Sequence, residues 1–334
     1  MEPSAFILAG TGMALPADCV DSARFDDALG QVRGWLETQC GVAARYVCRD
    51  ETQDLLATRA AEQAIAEACV APSAIDLVVF AASVPKQPIP STAPLIARSI
   101  GIAPGGCTAF DVNSTCLSFL NGLDVAICLL ATGRFSAALV ASAEIASRAL
   151  PWNTDPATAG LFGDGAGAAV ILPASTHSRS SYLKAALFES LHQGYELCQL
   201  AAGGTGIDFH QNPDRFRENA TFRMDGPKLF KLTTKHFPAF VDRLLDRAGW
   251  RRQDVDLVVP HQASPHALAH LVRRCGFPSD RVIDVVARYG NQVAASIPTA
   301  LHLARTWGRI SAGTKVLLLG TSAGVSFGGL AIEM

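Results

Sequence analysis

The sequence predicts a layered α/β protein made of two duplicated halves, and three observations carry that prediction. Residues 75–85, IDLVVFAASVP, recur as residues 255–265, VDLVVPHQASP, and three further matches follow in the same order at offsets of 173 to 180 residues. Apolar runs of strand length alternate with small-residue stretches of helical pattern, as in a mainly parallel sheet covered by helices. Hydrophobic residues make up 49% of the 334-residue chain and charged residues only 17%, so many segments must be buried on both faces. The length allows a sizeable core, and the repeat divides the chain into residues 1–172 and 173–334.

Each element has its own sequence reason. The N-terminus, MEPSAFILAGTGMALP, carries Glu2 and only a short apolar run before Gly and Pro, so it reads as a first strand and not as a secretory leader. Phe110-Asp111-Val112 and its counterpart Ile283-Asp284-Val285 read as short strands, each leading through a turn into a small-residue helix. Those helices end at Ala131-Thr-Gly-Arg134 and Thr306-Trp-Gly-Arg309, with Gly at the expected C-terminal stop. The strands AALVASAE (137–144) and KVLLLGTSAG (315–324) come next. The run GDGAGAA (163–169) lacks both the GKS/T ending of a phosphate loop and the GxGxxG spacing, and reads as a tight turn between strands.

Composition excludes several classes. A net charge of -2 and a pI near 6.4 leave no global positive field for a nucleic-acid backbone. Nine cysteines at irregular spacing, with no CxxC pair, argue against a zinc site and a disulfide framework and fit a reducing cytoplasm. Apolar runs stop well short of the ~20 residues a bilayer crossing requires. A cytoplasmic protein without nucleic-acid or membrane partners is expected.

Ligands of such sheets sit at loops beyond the strand ends, so two matching halves can contribute to one cleft. In the first half, FDVNSTCLSFLNGLDVAICLLATG (110–133) reads as strand, polar turn and helix, with Cys116 at the helix start. Free N–H groups and the helix dipole there are expected to lower the thiol pKa from ~8.5 and make a strong nucleophile. In the second half, VVPHQAS (258–264) carries His261 and YGNQVAAS (289–296) carries Asn291. A histidine donor and an asparagine amide converging on a thioester carbonyl would stabilise the enolate left when a malonyl group loses carbon dioxide. The run GTSAGVSFGG (320–329), after the last buried strand, offers backbone N–H groups to the cysteine as an oxyanion hole. Each feature has a blander alternative: a cysteine that packs, as Cys128 does in its helix, a hydrogen-bonded histidine at a strand end, an asparagine in a turn.

These segments, in this order, resemble β-ketoacyl-acyl-carrier-protein synthase III and its relatives in the thiolase superfamily over nearly the full length. The motifs are the Cys116 strand-turn-helix, LFGDGAGAAV (161–170), Val-Pro-His261-Gln-Ala, Tyr289-Gly-Asn291 before Ala-Ala-Ser, and the Gly-rich C-terminal loop. The resemblance implies a thiolase fold, two duplicated α/β halves in five layers, α-β-α-β-α. It implies a two-step reaction in which an acyl-CoA primer loads Cys116 and malonyl-acyl-carrier protein then enters. His261 and Asn291 would hold the malonyl carbonyl during decarboxylation, and the backbone amides of Cys116 and Ala323 would hold the tetrahedral oxyanion. No metal or redox cofactor is implied.

The resemblance further implies a homodimer in which the loop KQPIPST (86–92) reaches the partner's primer pocket, with Phe162 and Ser322 also lining the pocket. Ile89 falls where short-primer enzymes carry a bulky aromatic and head-to-head acyl-condensing relatives carry glutamate. An apolar residue of its size leaves room for a medium-length acyl chain. At the pantetheine entrance Trp35 matches the adenine-stacking tryptophan, Gln39 replaces an arginine, Arg148 stands near Thr154-Asp155-Pro156 as a substitute for a second arginine, and His266 falls at the carrier-docking arginine. Lys228 and Lys231, with Arg273 or Arg274, lie where the family meets the acidic carrier protein.

Two rival readings are an acyltransferase of the same fold that passes the Cys116 acyl group to another acceptor, and a non-catalytic partner subunit. Fatty-acid initiation, salvage of acyl-CoA and a specialised metabolite are all compatible with the sequence. A thiolase would need a second cysteine near the C-terminus, and Thr321-Ser-Ala-Gly324 has none.

Overall fold

The computed structural model describes residues 4–174 and 180–334. The first half runs β1 (Ser4–Ala14), β2 (Asp18–Asp21), α1 (Ser22–Ala28), α2 (Trp35–Cys40), β3 (Ala44–Val47), α3 (Gln53–Ala68), β4 (Leu77–Ala81), α4 (Ala93–Ser99), β5 (Thr108–Val112), α5 (Ser118–Ala131), β6 (Ala138–Glu144), α6 (Pro156–Ala159) and β7 (Gly165–Pro173). The second runs β8 (Ser181–Ser190), β9 (Cys198–Gln199), α7 (Pro213–Asn219), β10 (Arg223–Met224), α8 (Gly226–Ala248), β11 (Leu257–Pro260), α9 (Pro265–Cys275), α10 (Val286–Tyr289), α11 (Ser296–Thr306), β12 (Lys315–Ser322) and β13 (Ser326–Glu333).

Nine strands form one hydrogen-bonded sheet in the order β11-β12-β13-β8-β1-β7-β6-β4-β5. Its two halves meet only where Ser4, Ala5 and Phe6 pair with Leu183, Tyr182 and Ser181. Read outward from that seam, β1-β7-β6-β4-β5 and β8-β13-β12-β11 follow the same plan, with one strand missing from the second. The missing strand is the one expected at Ile283–Val285. Only a single bridge, Val258 to Val282, forms there. The Gln262 side chain explains this, because it donates to the Ile283 carbonyl (3.0 Å) and accepts from the Val285 amide (2.9 Å), taking main-chain groups that a ladder would need.

The expectation of a mainly parallel sheet is also corrected. The pairs β4–β5, β4–β6 and β11–β12 are parallel, while β6–β7, β7–β1, β1–β8, β8–β13 and β12–β13 are antiparallel. β12 is not the last strand, since it turns back through residues 323–325 into β13.

Three apolar clusters divide the molecule into five layers. α3 and α4 cover the outer face of the first half-sheet, burying Leu56, Ala60, Ala64 and Ile96. α5 and α11 fill the space between the half-sheets with Phe119, Leu120, Leu123, Ile127, Ile297 and Leu301, and α8 and α9 cover the outer face of the second with Phe240, Val241, Leu244 and Leu268. Each large apolar side chain buried this way contributes about 1.5–3 kcal/mol. The alanine-rich sequence of α3 answers a spacing demand: a methyl at Gly10 or Gly12 of β1 would lie 2.1 Å from the Ala64 or Ala60 carbonyl oxygen. α5 and α11 end as expected, with Gly133 (φ +72°) and Gly308 (φ +68°) just beyond. Among the described residues no helix is long and apolar enough to cross a membrane.

Candidate active site

The turn between β5 and α5 is built by its own polar side chains. Asn113 Oδ1 accepts from the Thr115 amide (3.0 Å) and Asn113 Nδ2 donates to the Ser83 carbonyl (2.8 Å). Ser118 Oγ accepts from the Ser114 amide (2.9 Å) and donates to the Thr115 carbonyl (2.6 Å). These bonds hold Thr115 at φ +52°, a conformation unfavourable for a β-branched residue, and set Cys116 two positions before the first residue of α5.

Cys116 keeps some exposed surface as a residue, but its sulfur lies deep. Burial pushes the thiol well above its ordinary pKa, with Cys198 and Glu144 adding to the shift, while the amides of Ala323 and of Cys116 itself pull it back only in part. The expected lowering is therefore corrected: desolvation of the thiolate outweighs the helix start. The two amides nevertheless face the sulfur, the arrangement required of donors to an oxyanion on the attached carbonyl.

The second half supplies two buried, oriented polar side chains. His261 follows β11, its amide bonded to the Leu319 carbonyl (2.7 Å), and only 7% of its surface is exposed. Burial lowers its pKa to about 4, so the ring is neutral near pH 7. Asn291 is equally buried, with Oδ1 accepting from the Val293 amide (2.8 Å) and Nδ2 donating to the Ala263 carbonyl (3.2 Å). That fixes the flip of the amide and leaves one Nδ2 hydrogen to donate elsewhere. Gly320 of β12 lets the halves close: a methyl there would lie 2.7 Å from Leu117 Cδ2 and 3.4 Å from His261 Cβ.

The glycine run 163–169 is not an inter-strand turn. Residues 165–169 belong to β7, and the segment before them grips the Asn291 turn. The Asn291 amide bonds the Leu161 carbonyl (2.7 Å), and the Gly163 amide bonds the Asn291 carbonyl (3.1 Å). A methyl at Gly163 would lie 2.2 Å from the Tyr289 carbonyl oxygen, and one at Gly165 would lie 2.2 Å from Gln292 Nε2. These glycines supply space for backbone contact.

Of the other sequence-predicted residues, Phe162 is buried beside Asn291 and meets Phe222 edge-on, ring centroids 5.1 Å apart. Ser322 is buried at the end of β12, directly before Ala323. Ile89 is not brought to this group within one chain, being 86% exposed on its loop. Trp35 opens α2 and packs against the apolar cluster of the second half, whereas Gln39 is exposed. Arg148 is turned onto the Glu51 carbonyl (3.3 Å). Lys228 is paired with Asp225 (2.8 Å), while Lys231, His266, Arg273 and Arg274 are exposed on α8 and α9. Between those helices a pocket of about 70 Å³, lined by Phe230, His270 and Arg274 among others, reaches His261.

Three buried polar residues escaped the sequence reading. Gln262 ties β11 to residues 283–285. Ser296 Oγ sits 2.6 Å from His261 Nδ1. Glu144, at the end of β6, accepts from the Ser83 amide (2.6 Å) and hydroxyl (2.8 Å), and burial raises its carboxyl to about 7 against the pull of the Ser83, Ala294 and Val84 donors. The available signal was a polar residue ending an apolar run, as in ASAE and QVAAS.

The chain matches the family model of 3-oxoacyl-[acyl-carrier-protein (ACP)] synthase III over residues 110–189 and that of its C-terminal region over residues 245–334. It is 36% identical to beta-ketoacyl-[acyl-carrier-protein] synthase III 3 of Streptomyces coelicolor, covering 98% of this chain and 97% of that protein. It is 35% identical to beta-ketoacyl-[acyl-carrier-protein] synthase III of Rhizorhabdus wittichii, covering 98% of each. The crystal structure of 3-oxoacyl-(acyl carrier protein) synthase III from Pseudomonas aeruginosa superposes with a TM-score of 0.87 at 31% identity, covering 98% of each chain. A variant of OleA from Xanthomonas campestris shares the fold, with a TM-score of 0.87 at 22% identity over the whole of both chains. With both family models matched and full-length identity above 30%, the chain belongs to the β-ketoacyl-acyl-carrier-protein synthase III family of the thiolase fold.

Proposed function

We propose that this enzyme carries out decarboxylative Claisen condensation of an acyl-CoA primer, held as a thioester on Cys116, with malonyl-acyl-carrier protein, to give a 3-oxoacyl-acyl-carrier protein. What supports the residue assignment is the pair of amides at the Cys116 sulfur, a neutral His261 and a flip-fixed Asn291 on turns of the other half, and the close approach of Leu117 and His261 around Gly320. In the first step the Cys116 sulfur attacks the acyl-CoA carbonyl, the amides of Cys116 and Ala323 hold the oxyanion, and CoA leaves with the thiol proton. In the second, His261 and Asn291 donate to the malonyl thioester carbonyl as the carboxylate leaves as carbon dioxide. The enolate carbon then attacks the acyl-enzyme, the carbon–sulfur bond breaks, and the Cys116 thiolate takes a proton from water to return to the thiol. Neutrality of His261 suits this role, since a neutral donor stabilises the enolate without surrendering its proton. The chemistry calls on no metal or redox cofactor.

A homodimer is part of this reading. β5 ends the sheet, and the loop between β4 and α4 carries Val84 and Ile89 into solvent, an arrangement a second copy would cover. Ile89 then faces a partner's primer pocket, with Phe162 and Ser322 lining this chain's own, and sets a medium-length acyl group. Lys231, Arg273 and Arg274 supply the cationic approach for the carrier protein, with His266 exposed on the same helix as the two arginines, and Trp35 and Arg148 serve the CoA entrance. A cytoplasmic location accords with nine free cysteines.

Intact-protein mass spectrometry across acetyl-, octanoyl- and dodecanoyl-CoA, coupled to carbon dioxide release from malonyl-acyl-carrier protein, tests both steps. Cys116 should acquire the acyl mass, fastest with octanoyl, and His261→Ala should still load while losing about 100-fold in carbon dioxide release. Normal loading by the unmodified enzyme with no carbon dioxide release would defeat condensation in favour of plain acyl transfer.

A further inference from the structure

We propose that Ser296 is a positioning residue whose hydroxyl donates a hydrogen bond to His261 Nδ1 and so keeps the ring hydrogen on Nε2, the nitrogen left to face the malonyl carbonyl. The inference rests on the condensation reading for its purpose and on hydrogen-bond geometry for its substance. A neutral imidazole carries one ring hydrogen, and only the tautomer with that hydrogen on Nε2 can donate from Nε2.

Ser296 Oγ lies 2.6 Å from His261 Nδ1 and 2.9 Å from the Val293 carbonyl, so one hydroxyl hydrogen has two acceptors in reach. The carbonyl does not need it, because the Ser296 backbone amide already donates there. Nδ1 has no other partner among the described residues, and the Gln262 amide approaches Oγ from the acceptor side (3.4 Å). With the Val293 carbonyl already served by a backbone amide, the hydroxyl hydrogen goes to Nδ1, the nearer of its two acceptors, and the Gln262 amide fills the acceptor side of Oγ. The opposite choice places a lone pair at Nε2, where it repels a developing enolate oxygen. Ser296 opens α11, so the rigid central helix fixes the tautomer.

Histidine-selective ¹⁵N labelling of the full chain, read by long-range proton–nitrogen correlation near neutral pH, reports the tautomer directly. Nε2 of His261 should carry the hydrogen and Nδ1 should be bare, the resonance being assigned by its loss in His261→Ala. Ser296→Ala should lose this preference and fall at least about tenfold in carbon dioxide release, with Cys116 acylation within about twofold of the parent. Ser296→Thr, which keeps the hydroxyl, should recover most of the loss. A parent spectrum with hydrogen on Nδ1 would overturn the proposal, as would Ser296→Ala releasing carbon dioxide at the parent rate. If the parent releases none, the condensation reading fails, while the spectrum still decides the tautomer.

Discussion

Cys116 sits where two opposing influences meet. Its turn aims amides at the sulfur, while the packing around it removes the water a thiolate needs. Since burial wins, the resting group is a thiol, and its reactivity toward a small alkylating agent should follow the rising thiolate fraction. Inactivation by iodoacetamide is expected to accelerate about tenfold per pH unit from about pH 6 to about pH 9 without a plateau. A plateau below about pH 8 would mean that the amides prevail. The position of this cysteine was legible in FDVNSTC, because a strand, a polar turn and a helix follow from local pattern. The sign of its pKa shift was not, since desolvation at the sulfur depends on segments distant in sequence, and Cys198 and Glu144, which add to the shift, come from β9 and β6. Ser296 was hidden for the same reason, its significance lying in a partner on another element.

At the scale of elements, the Asn291 turn is held less by its own sequence than by the strand it leans on. Gly163→Ala would drive a methyl into the Tyr289 carbonyl, a backbone atom with no side-chain freedom to yield. The expected cost is about 1–3 kcal/mol in urea unfolding, with carbon dioxide release falling several-fold further than Cys116 acylation. An unchanged ratio of the two rates would remove the glycine from any part in placing Asn291. By sequence this run reads as a turn because glycine serves both purposes, yet neither Gly163 nor Gly165 adopts the positive φ for which turns favour glycine. Ile283–Val285 misled in a related way: the residues suit a strand, but the Gln262 side chain occupies the main-chain groups that pairing requires. The repeated strands and the two central helices, set by apolar period and terminal glycine, were legible from pattern alone.

For the molecule as a whole, two buried groups bend stability against pH in opposite directions. His261, lowered from 6.5 to about 4, favours the folded state in its neutral form, so its contribution is present above about pH 6.5 and is lost as pH falls toward about 4. Glu144, raised from 4.5 to about 7, is favoured protonated, so its contribution is present below about pH 4.5 and is lost as pH rises through about 7. Each spans about 3 kcal/mol, and between about pH 4.5 and 6.5 they nearly cancel. Measured by urea unfolding across that window and relative to the parent, Glu144→Gln should gain stability with rising pH and His261→Ala should lose it. Slopes of the same sign in both variants would contradict the assignment. The five-layer arrangement also has a consequence in time. His261 follows Cys116 by 145 residues, so at ~5–20 residues per second a ribosome delivers the proposed nucleophile about 7–30 s before its proposed partner. Through that interval α5 has neither α11 nor the second half-sheet to cover Phe119, Leu120 and Leu123. The nascent chain thus presents a greasy helix beside an idle thiol, a natural substrate for a chaperone until the C-terminal strands emerge.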